Sequence, residues 1–227
     1  FYGGHGIVGA QVPIGVGLAF AHKYRNEKKI SRVYVGDGAM SNGQVFEAFN
    51  LASLWNLPVL FIIENNRYGM GTAVNRSAAG KDLYERATVF GIEGEKINGM
   101  DFFEVSQAAI RARDHIYENS KPYVLEMDTY RYRGHSMSDP ATYRTKDEVS
   151  EMKSNDPLLS MKNKLLKDFK VKEDEIIDIE VNIKKQIKEV EKFSLDSPLP
   201  EINELFTEVY LWTFYFQPFL LLWNKET

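Results

Sequence analysis

The sequence predicts an α/β protein in which helices flank a parallel sheet, followed by a helical carboxy-terminal region. Two short apolar runs with β-branched residues, at 33–35 and 58–63, have the character of buried parallel strands. A helix-compatible stretch from about Gln44 to Trp55 joins them, and Pro58 closes it. Strand, helix and strand in this length predict a right-handed βαβ unit. Beyond residue 147 the pattern is helical, charged and rich in lysine.

The segments next to this unit are predicted from their turn residues. A glycine-rich loop at 3–9 precedes a helix that reaches about Lys23, because Pro13 suits the first turn of a helix. Residues 26–31 form a polar turn, and a glycine-containing loop at 67–80 follows the unit. The loop at 67–80 contains at least three glycines and few apolar anchors.

Further elements alternate between helix and strand up to about residue 130. They are a short helix near 83–90, a strand at 95–98, a helix from Asp101 to about Glu118 and a strand at 122–130. Asp101 and Glu104 have the spacing of a capping box at the start of the longer helix. Residues 131–146 hold too many turn formers for regular structure, and Asp156-Pro157 and Ser197-Pro198 interrupt the helical region. We expect an α/β core at 1–146, a helical extension at 147–210 and an atypical aromatic tail at 211–227.

Composition excludes several kinds of site. The 227 residues are 44% hydrophobic and 26% charged with a formal net charge of −4, so no basic excess favours nucleic acid. Cysteine is absent, which excludes disulfides, zinc–thiolate centres and a cysteine nucleophile. Because the chain opens with Phe1 directly before a glycine-rich motif, we expect it to be amino-terminally incomplete. The aromatic tail is shorter than the ~20 residues of a membrane span, and we expect either a packing segment or a non-native extension.

Two polar elements directly follow the two predicted strands. Gly36-Asp37-Gly38 comes after the first strand, and Asn65-Asn66 comes after the second. Paired strands lie ~5 Å apart, so Asp37 and Asn66 are expected at one carboxyl-end edge, where open α/β sheets bind ligands. Taken singly, Asp37 is better explained as a helix cap and Asn66 as a turn residue. Together, the carboxylate and amide oxygens favour a Mg²⁺ ion that also holds a diphosphate.

The glycine-rich loop contains a second candidate motif. Residues 4–9 match the dinucleotide fingerprint G-x-G-x-x-G as a string. No strand is visible before the motif, and the acid about 20 residues later, Glu27, lies in a polar turn. A loop whose backbone approaches a flat ring therefore fits better than nicotinamide binding, and a plain helix-entry turn remains open.

Three separated motifs carry a resemblance to a known family. They are the glycine-rich segment at 1–11, the segment Glu64 to Thr72 around the paired asparagines, and the segment Tyr130 to Pro140 with its Arg-Gly-His-Ser-Met-Ser-Asp-Pro wording. Over about residues 1–210 the chain resembles the thiamine-diphosphate-dependent 2-oxo acid dehydrogenases, in particular the alpha subunits of pyruvate dehydrogenase first components. The resemblance implies the thiamine-diphosphate-binding fold, with thiamine diphosphate and Mg²⁺ as cofactors.

The resemblance also implies roles for individual residues, most of them acting through the backbone. These are Asp37, Asn66 and the carbonyl of Tyr68 for Mg²⁺, Gly38 and Ala39 for the diphosphate, and Gly6 and Val8 for the aminopyrimidine. His135 would face the cofactor and the substrate as the catalytic residue, orienting a carbonyl or moving a proton. Without the resemblance, His135 is better explained as a loop histidine bonded to Asp139.

Ser136, next to this histidine, corresponds to the main phosphorylation position in mitochondrial members of the family. A phosphate would add a charge of about −1.5 to −2 beside the site and disfavour an anionic substrate. An unmodified loop serine is the alternative, and it is the expected state in a bacterial protein. Thr142 lies where a second such site occurs, in a loop one residue shorter than in animal members.

The implied function is oxidative decarboxylation of pyruvate with transfer of the acetyl unit to lipoyl groups. The implied partners are a beta subunit, in an α₂β₂ heterotetramer, and the lipoyl-bearing acetyltransferase core of a multienzyme complex. The glutamate that activates the cofactor would come from the beta subunit. Alternatives are an alpha subunit for branched-chain 2-oxo acids or acetoin, or a catalytically incompetent interaction chain. We expect the bacterial cytoplasm, with the mitochondrial matrix as the alternative, and neither nucleic acid nor membrane as a partner.

Overall fold

The computed structural model describes residues 1–80 and 82–207. The strands along the chain are β1 (Ser31–Gly36), β2 (Val59–Asn65), β3 (Tyr68–Gly69), β4 (Thr72–Ala73), β5 (Glu93–Asn98) and β6 (Tyr123–Asp128). Four of them form a parallel sheet in the order β1-β2-β6-β5, and β3 and β4 form a separate antiparallel hairpin. The parallel pairing of β1 with β2 confirms the predicted βαβ unit and, with the flanking helices, the predicted fold class.

The longer helices lie where the sequence predicts helical structure, within a few residues. They are α1 (Gln11–Tyr24), α2 (Gly43–Leu54), α3 (Val74–Ser77), α4 (Glu85–Thr88), α5 (Phe102–Asn119), α6 (Lys146–Ser154), α7 (Pro157–Lys167) and α8 (Glu173–Asp196), with 3₁₀ segments at Asp37–Ser41 and Ile202–Phe206. Asn42 caps α2 by accepting a hydrogen bond from the Gln44 N–H at 3.2 Å. Asp156 caps α7, whose first residue is Pro157. The predicted break at this pair is confirmed.

The core consists of two clusters of buried side chains separated by the sheet. In one cluster, α1 and α2 pack against β1 and β2, and the rings of Phe49 and Phe61 meet edge to face with centroids 4.8 Å apart. In the other, α5 packs against the alternate residues of β2 and against β6. Because β2 is covered on both sides, its sequence is a continuous apolar run. Gly15 allows α1 to approach β1 closely, since a Cβ there would lie 2.1 Å from Cγ2 of Val33.

Three segments differ from their predictions. The segment at 67–80, predicted as a loop, contains α3 and the β3–β4 hairpin, whose turn has Met70 at a φ of +54°. The predicted helix near 83–90 is reduced to the four residues of α4. The capping box is only half formed, because Glu104 accepts a hydrogen bond from the Asn98 N–H at 2.9 Å. The Asp101 N–H that a capping box would use donates instead to the Asn98 carbonyl at 3.2 Å.

The chain forms two compact units, one from Phe1 to Phe169 and one from Lys170 onward. The first unit holds the sheet and α1 to α7. In the second unit, the described residues form α8 and the 3₁₀ segment at 202–206. The predicted divisions at residues 146 and 210 stay predictions, and the aromatic tail at 211–227 lies outside the described residues. Within the described part of the chain, no helix has both the length and the apolar character that crossing a membrane requires.

Candidate functional site

β1 and β2 end side by side at the carboxyl edge of the sheet. They pair in parallel up to Gly36 and Glu64, so the 3₁₀ segment that begins at Asp37 lies beside the turn that follows β2. The two segments touch at a pair of glycines. A Cβ at Gly38 would lie 3.3 Å from Cα of Gly69, and a Cβ at Gly69 would lie 3.2 Å from Cα of Gly38. The fold therefore brings together the segments predicted to bind metal and diphosphate.

Asp37 is a buried carboxylate with one unsatisfied oxygen. The residue is 5% exposed, and its Oδ2 atom accepts no hydrogen bond from any residue that the structure describes. Burial raises the pKa of Asp37, although backbone N–H groups of Asp37 and Asn66 and the charge of Arg131 act in the opposite direction. A buried oxygen without a partner carries a desolvation penalty that a bound cation would offset.

The turn after β2 fixes Asn66 and Tyr68 close to this carboxylate. Asn65 Oδ1 accepts a hydrogen bond from the Arg67 N–H at 3.1 Å, and Asn66 Oδ1 accepts one from the Tyr68 N–H at 3.2 Å. Arg67 adopts a φ of +73°, the left-handed conformation that closes the turn. Since an amide oxygen has two lone pairs, Asn66 Oδ1 can still bind a cation.

Arg131, to which sequence reasoning gave no role, contacts the backbone carbonyl predicted as the third metal ligand. Its Nη1 donates to the Tyr68 carbonyl at 3.1 Å, and its Nη2 donates to the Met70 carbonyl at 2.7 Å and to the Tyr143 hydroxyl at 2.9 Å. The Tyr68 carbonyl therefore keeps one lone pair for another partner. The signal for this role in the sequence was the basic character of the loop at 131–146.

Arg144 and Glu148 anchor the same loop. The Arg144 guanidinium lies 5.9, 5.3 and 5.7 Å from the ring centroids of Tyr68, Tyr130 and Tyr143, and it donates to two backbone carbonyls of the loop. Glu148 Oε1 accepts hydrogen bonds from the hydroxyls of Tyr68 at 2.9 Å and of Tyr130 at 2.7 Å. Burial and the hydrogen bond to Glu148 raise the pKa of Tyr130 to about 12. The loop is thus ordered without helix or strand.

His135 lies at the exposed apex of this loop. Its backbone N–H donates to Asp139 Oδ2 at 2.7 Å, so the contact with Asp139 is made by the backbone and not by the ring. In the described residues no hydrogen bond to the imidazole is present. Gly134 is required beside it, because a Cβ there would lie 2.4 Å from the Asp139 carbonyl oxygen. The imidazole is therefore open to a ligand.

The residues predicted to contact the aminopyrimidine lie on the glycine-rich loop. Gly6 and Val8 are both exposed. The Val8 carbonyl accepts hydrogen bonds from Asn42 Nδ2 at 3.0 Å and Gln44 Nε2 at 3.1 Å, which tie the loop to the start of α2. Gly9 closes the loop with a φ of +84°. Within the part of the chain that the structure describes, the backbone N–H of Val8 donates no hydrogen bond and is available to a ligand.

The other predicted residues differ in exposure. In the 3₁₀ segment after β1, Gly38 is exposed and Ala39 is buried at 8% exposure, so any contact from Ala39 would be made through its backbone. Ser136 is exposed, with its Oγ 3.1 Å from the Ser138 Oγ, and Thr142 is exposed as well. Both hydroxyl residues are thus accessible from solvent.

Comparison with known proteins gives consistent matches over most of the chain. Residues 1–203 match a family profile described as dehydrogenase E1 component. The chain is 54% identical over 210 residues to a protein of Rickettsia felis named pyruvate dehydrogenase E1 component subunit alpha, covering 92% of this chain and 64% of that protein. It is 49% identical over 212 residues to a Rhizobium meliloti protein of the same name, covering 93% and 61%. A mitochondrial relative from Dictyostelium discoideum is 47% identical over 213 residues, with coverage of 93% and 56%. The chain spans just under two thirds of the length of the Rickettsia relative.

Proposed function

Since this chain belongs to the dehydrogenase E1 component family, we propose that it is the alpha subunit of a pyruvate dehydrogenase. In this role it would take part in the thiamine-diphosphate-dependent oxidative decarboxylation of pyruvate, with transfer of the acetyl unit to lipoyl groups. The names of the bacterial and mitochondrial relatives support pyruvate over branched-chain 2-oxo acids and acetoin. The observation that carries the proposal is the buried Asp37 Oδ2, which has no partner among the described residues.

The proposed Mg²⁺ ligands are Asp37, Asn66 and the backbone carbonyl of Tyr68. Their support is chemical: a carboxylate, an amide oxygen and a carbonyl are hard oxygen donors of the kind that Mg²⁺ prefers. Each also has a lone pair that no hydrogen bond uses in the described structure. The Arg131 guanidinium at the Tyr68 carbonyl would orient that carbonyl and contribute positive charge near a diphosphate.

The cofactor contacts follow from the two loops beside this edge. Gly38 and Ala39 would bind the diphosphate through backbone groups, and Gly6 and Val8 would bind the aminopyrimidine through theirs. The glycine at position 38 leaves room for the close approach of Gly69, which brings the two segments together. Bound thiamine diphosphate would supply the carbanion chemistry, while the protein supplies position and electrostatics.

His135 is the proposed catalytic residue of this chain. Its ring carries no hydrogen bond within the described residues. The loop that holds it is tied by Arg131 to the metal edge, by which we mean the sheet edge with Asp37, Asn66 and the Tyr68 carbonyl. Histidine is the side chain most often used in general acid–base catalysis, which suits proton movement at a reacting carbonyl. Ser136, exposed beside it, is the proposed phosphorylation site if the protein is regulated in this way.

The proposed partners are a beta subunit, which would supply the glutamate that activates the cofactor, and a lipoyl-bearing acetyltransferase core. The names of the relatives include the word subunit, which supports assembly with other chains. We propose a bacterial cytoplasmic location, which the Rickettsia and Rhizobium relatives support, and the relative named mitochondrial supports the matrix as the alternative.

The proposal is tested on the whole protein assembled with the beta subunit. Reduction of an artificial electron acceptor is measured with pyruvate, 3-methyl-2-oxobutanoate and acetoin as substrates, with and without Mg²⁺ and thiamine diphosphate. We expect turnover with pyruvate that requires both cofactors. Preference for 3-methyl-2-oxobutanoate or acetoin would instead assign the chain to a branched-chain 2-oxo acid dehydrogenase or an acetoin dehydrogenase. Bound cofactor without turnover of any substrate would leave a non-catalytic role.

A further inference from the structure

Glu126 on β6 is a carboxylate buried inside the sheet, away from the residues assigned to the site. It has no solvent exposure, and both carboxylate oxygens accept hydrogen bonds. Oε2 accepts from the backbone N–H groups of Leu83 at 2.6 Å and Tyr84 at 3.0 Å. Oε1 accepts from Asn65 Nδ2 at 2.8 Å and lies 3.8 Å from Lys96 Nζ.

Burying a carboxylate at this position costs desolvation free energy. An apolar residue of similar volume often serves a core at least as well as a buried ionic group does. Glu126 directly follows Val124 and Leu125, which belong to the two apolar clusters. The carboxylate therefore calls for an explanation beyond packing, and its hydrogen-bond chemistry provides one.

Both oxygens of Glu126 accept hydrogen bonds from N–H groups, so this side chain dictates the orientation of the Asn65 amide. The NH₂ group of Asn65 must face Glu126, and its Oδ1 must then face the other way. There Oδ1 accepts the Arg67 N–H at 3.1 Å. This bond closes the left-handed turn at Arg67, whose neighbours are Asn66 and Tyr68. A directional chain of hydrogen bonds thus runs from the buried carboxylate to the turn at the metal edge.

We propose that Glu126 is a positioning residue for the metal site: it fixes the Asn65 amide and thereby the turn that carries Asn66 and the Tyr68 carbonyl. The inference rests on the proposed function, because it takes these two groups as metal ligands. Glu126 itself does not touch the metal or the substrate. Residues of this kind, which orient the ligands, typically change metal affinity by about 10- to 100-fold when they are altered.

Glu126→Gln is the sharpest single test because it keeps the shape and removes only the second acceptor. The glutamine oxygen would stay with the two backbone N–H groups at Leu83 and Tyr84, which places its NH₂ group against the NH₂ group of Asn65. Rotation of the Asn65 amide would relieve this clash, but it would turn a donor toward the Arg67 N–H. We expect Mn²⁺ affinity about 10-fold weaker or more, and faster hydrogen exchange of the Arg67 amide in the metal-free protein.

The double variant Glu126→Gln/Asn65→Asp restores the hydrogen-bond directions by moving the carboxylate to position 65. One oxygen of the relocated carboxylate would accept from the glutamine NH₂ group, and the other would accept the Arg67 N–H. We expect the double variant to recover most of the Mn²⁺ affinity and of the Arg67 protection. The control is Leu125→Ala, which opens a cavity in the adjacent cluster and lowers stability without touching these hydrogen bonds. Well below its unfolding temperature, this variant should have the wild-type Mn²⁺ affinity and the wild-type exchange rate of the Arg67 amide.

Both quantities are measured in the whole protein assembled with the beta subunit. The affinity is measured with Mn²⁺ as the probe in the presence of thiamine diphosphate, and the Arg67 exchange is measured without metal. Wild-type affinity and protection in Glu126→Gln would overturn the inference, as would equal losses in Glu126→Gln and Leu125→Ala. If Glu126→Gln does not fold, recovery in the double variant supports the inference, and failure of both variants to fold overturns it. A wild-type protein that binds no Mn²⁺ would instead overturn the proposed function. The Arg67 exchange separates the two failures, because it needs no metal.

Discussion

The turn that follows β2 and the loop that follows β6 both contribute to the candidate site, but different interactions hold them. The turn joins a strand buried on both faces, and its backbone is tied to the buried Asn65 side chain, which is hydrogen-bonded in turn to the buried Glu126. The loop at 131–145 has no regular structure and is held by Arg131, Arg144 and the tyrosines around them. The turn is therefore positioned by the fold, whereas the loop is positioned by charge and hydrogen bonding at half-exposed residues.

This difference matches the chemistry that we propose for each region. Mg²⁺ tolerates little deviation from its preferred octahedral geometry, so its ligands belong on a rigid edge. A proton-handling histidine has to meet substrates that enter and leave, and an exposed loop suits that requirement. The predictions below alter the contacts that hold these regions, from the largest expected effect to the smallest.

The largest effect is expected from Asp37→Asn at the rigid edge. The substitution keeps the shape but removes the negative charge that would bind Mg²⁺, so we expect turnover of pyruvate to fall by at least about 100-fold. Steady-state kinetics of the assembled protein at saturating Mg²⁺ provide the measurement. Asp101→Asn is the matched control, since asparagine caps a helix as well as aspartate does and Asp101 caps α5.

The same variant should stabilise the metal-free protein at neutral pH. Because burial raises the folded-state pKa of Asp37 above the ordinary 3.8, this group favours folding at low pH, and that contribution is lost as the pH rises through the folded-state pKa. Because asparagine does not ionise, the Asp37→Asn variant does not lose this stabilising contribution as the pH rises. Denaturant unfolding from pH 4 to 7 without metal should show the difference growing with pH, and parallel curves for the two proteins would contradict it.

Arg131→Lys should loosen the loop and spare the turn. Lysine cannot reproduce the guanidinium contacts with two carbonyls and a hydroxyl, and each charged hydrogen bond is worth about 1.5–3 kcal/mol. We expect hydrogen exchange at 131–145 to rise about 10-fold or more, with the Arg67 amide affected less. Arg133→Lys, at an exposed position of the same loop, is the control and should change neither.

Glu148→Gln should produce a smaller loss. Glutamine still accepts from the hydroxyls of Tyr68 and Tyr130, but the bonds lose their charge, so the free energy of unfolding should fall by about 1 kcal/mol. Chemical denaturation measures the change. Glu151→Gln, an exposed position on the same helix, should be close to neutral, and equal losses at the two positions would show that the tyrosine contacts contribute nothing.

The smallest effect concerns the pH dependence of the loop. Backbone hydrogen bonds from His135 and Ala141 hold the pKa of Asp139 below its ordinary 3.8. The stabilising contribution of Asp139 is therefore present above about pH 4 and is lost as the pH falls through the lowered folded-state pKa. Pepsin cleavage within 131–145 should increase over that acid range. Asp139→Asn should show no such pH dependence, and a wild-type loop cleaved equally at pH 3 and pH 5 would argue against the contact.

The same contrast explains how much the sequence could predict. Asp37 and Asn66 were predictable because apolar runs define β1 and β2, and the parallel sheet then places their ends at one edge. The roles of Arg131, Arg144 and Glu148 were not predictable from the sequence, because contacts among partly exposed polar residues depend on how the loop folds back. The β3–β4 hairpin was missed because its turn uses Met70 in a left-handed conformation that methionine seldom adopts.

Glu126 shows a signal that was present but not used. Glu126 lies within the predicted strand at 122–130 next to apolar residues, and a buried acid needs specific partners. Those partners, Asn65 and the backbone at 83–84, come from two other parts of the chain. No local pattern identifies them in advance.

The most direct test of the central claim is calorimetric titration of thiamine diphosphate into the whole protein assembled with the beta subunit, with and without Mg²⁺. If the edge formed by Asp37, Asn66 and Tyr68 holds the metal that grips the diphosphate, binding should require Mg²⁺ in the wild type. It should be lost in Asp37→Asn and retained in Asp101→Asn. Tight binding that is independent of Mg²⁺, or unchanged by Asp37→Asn, would contradict the account.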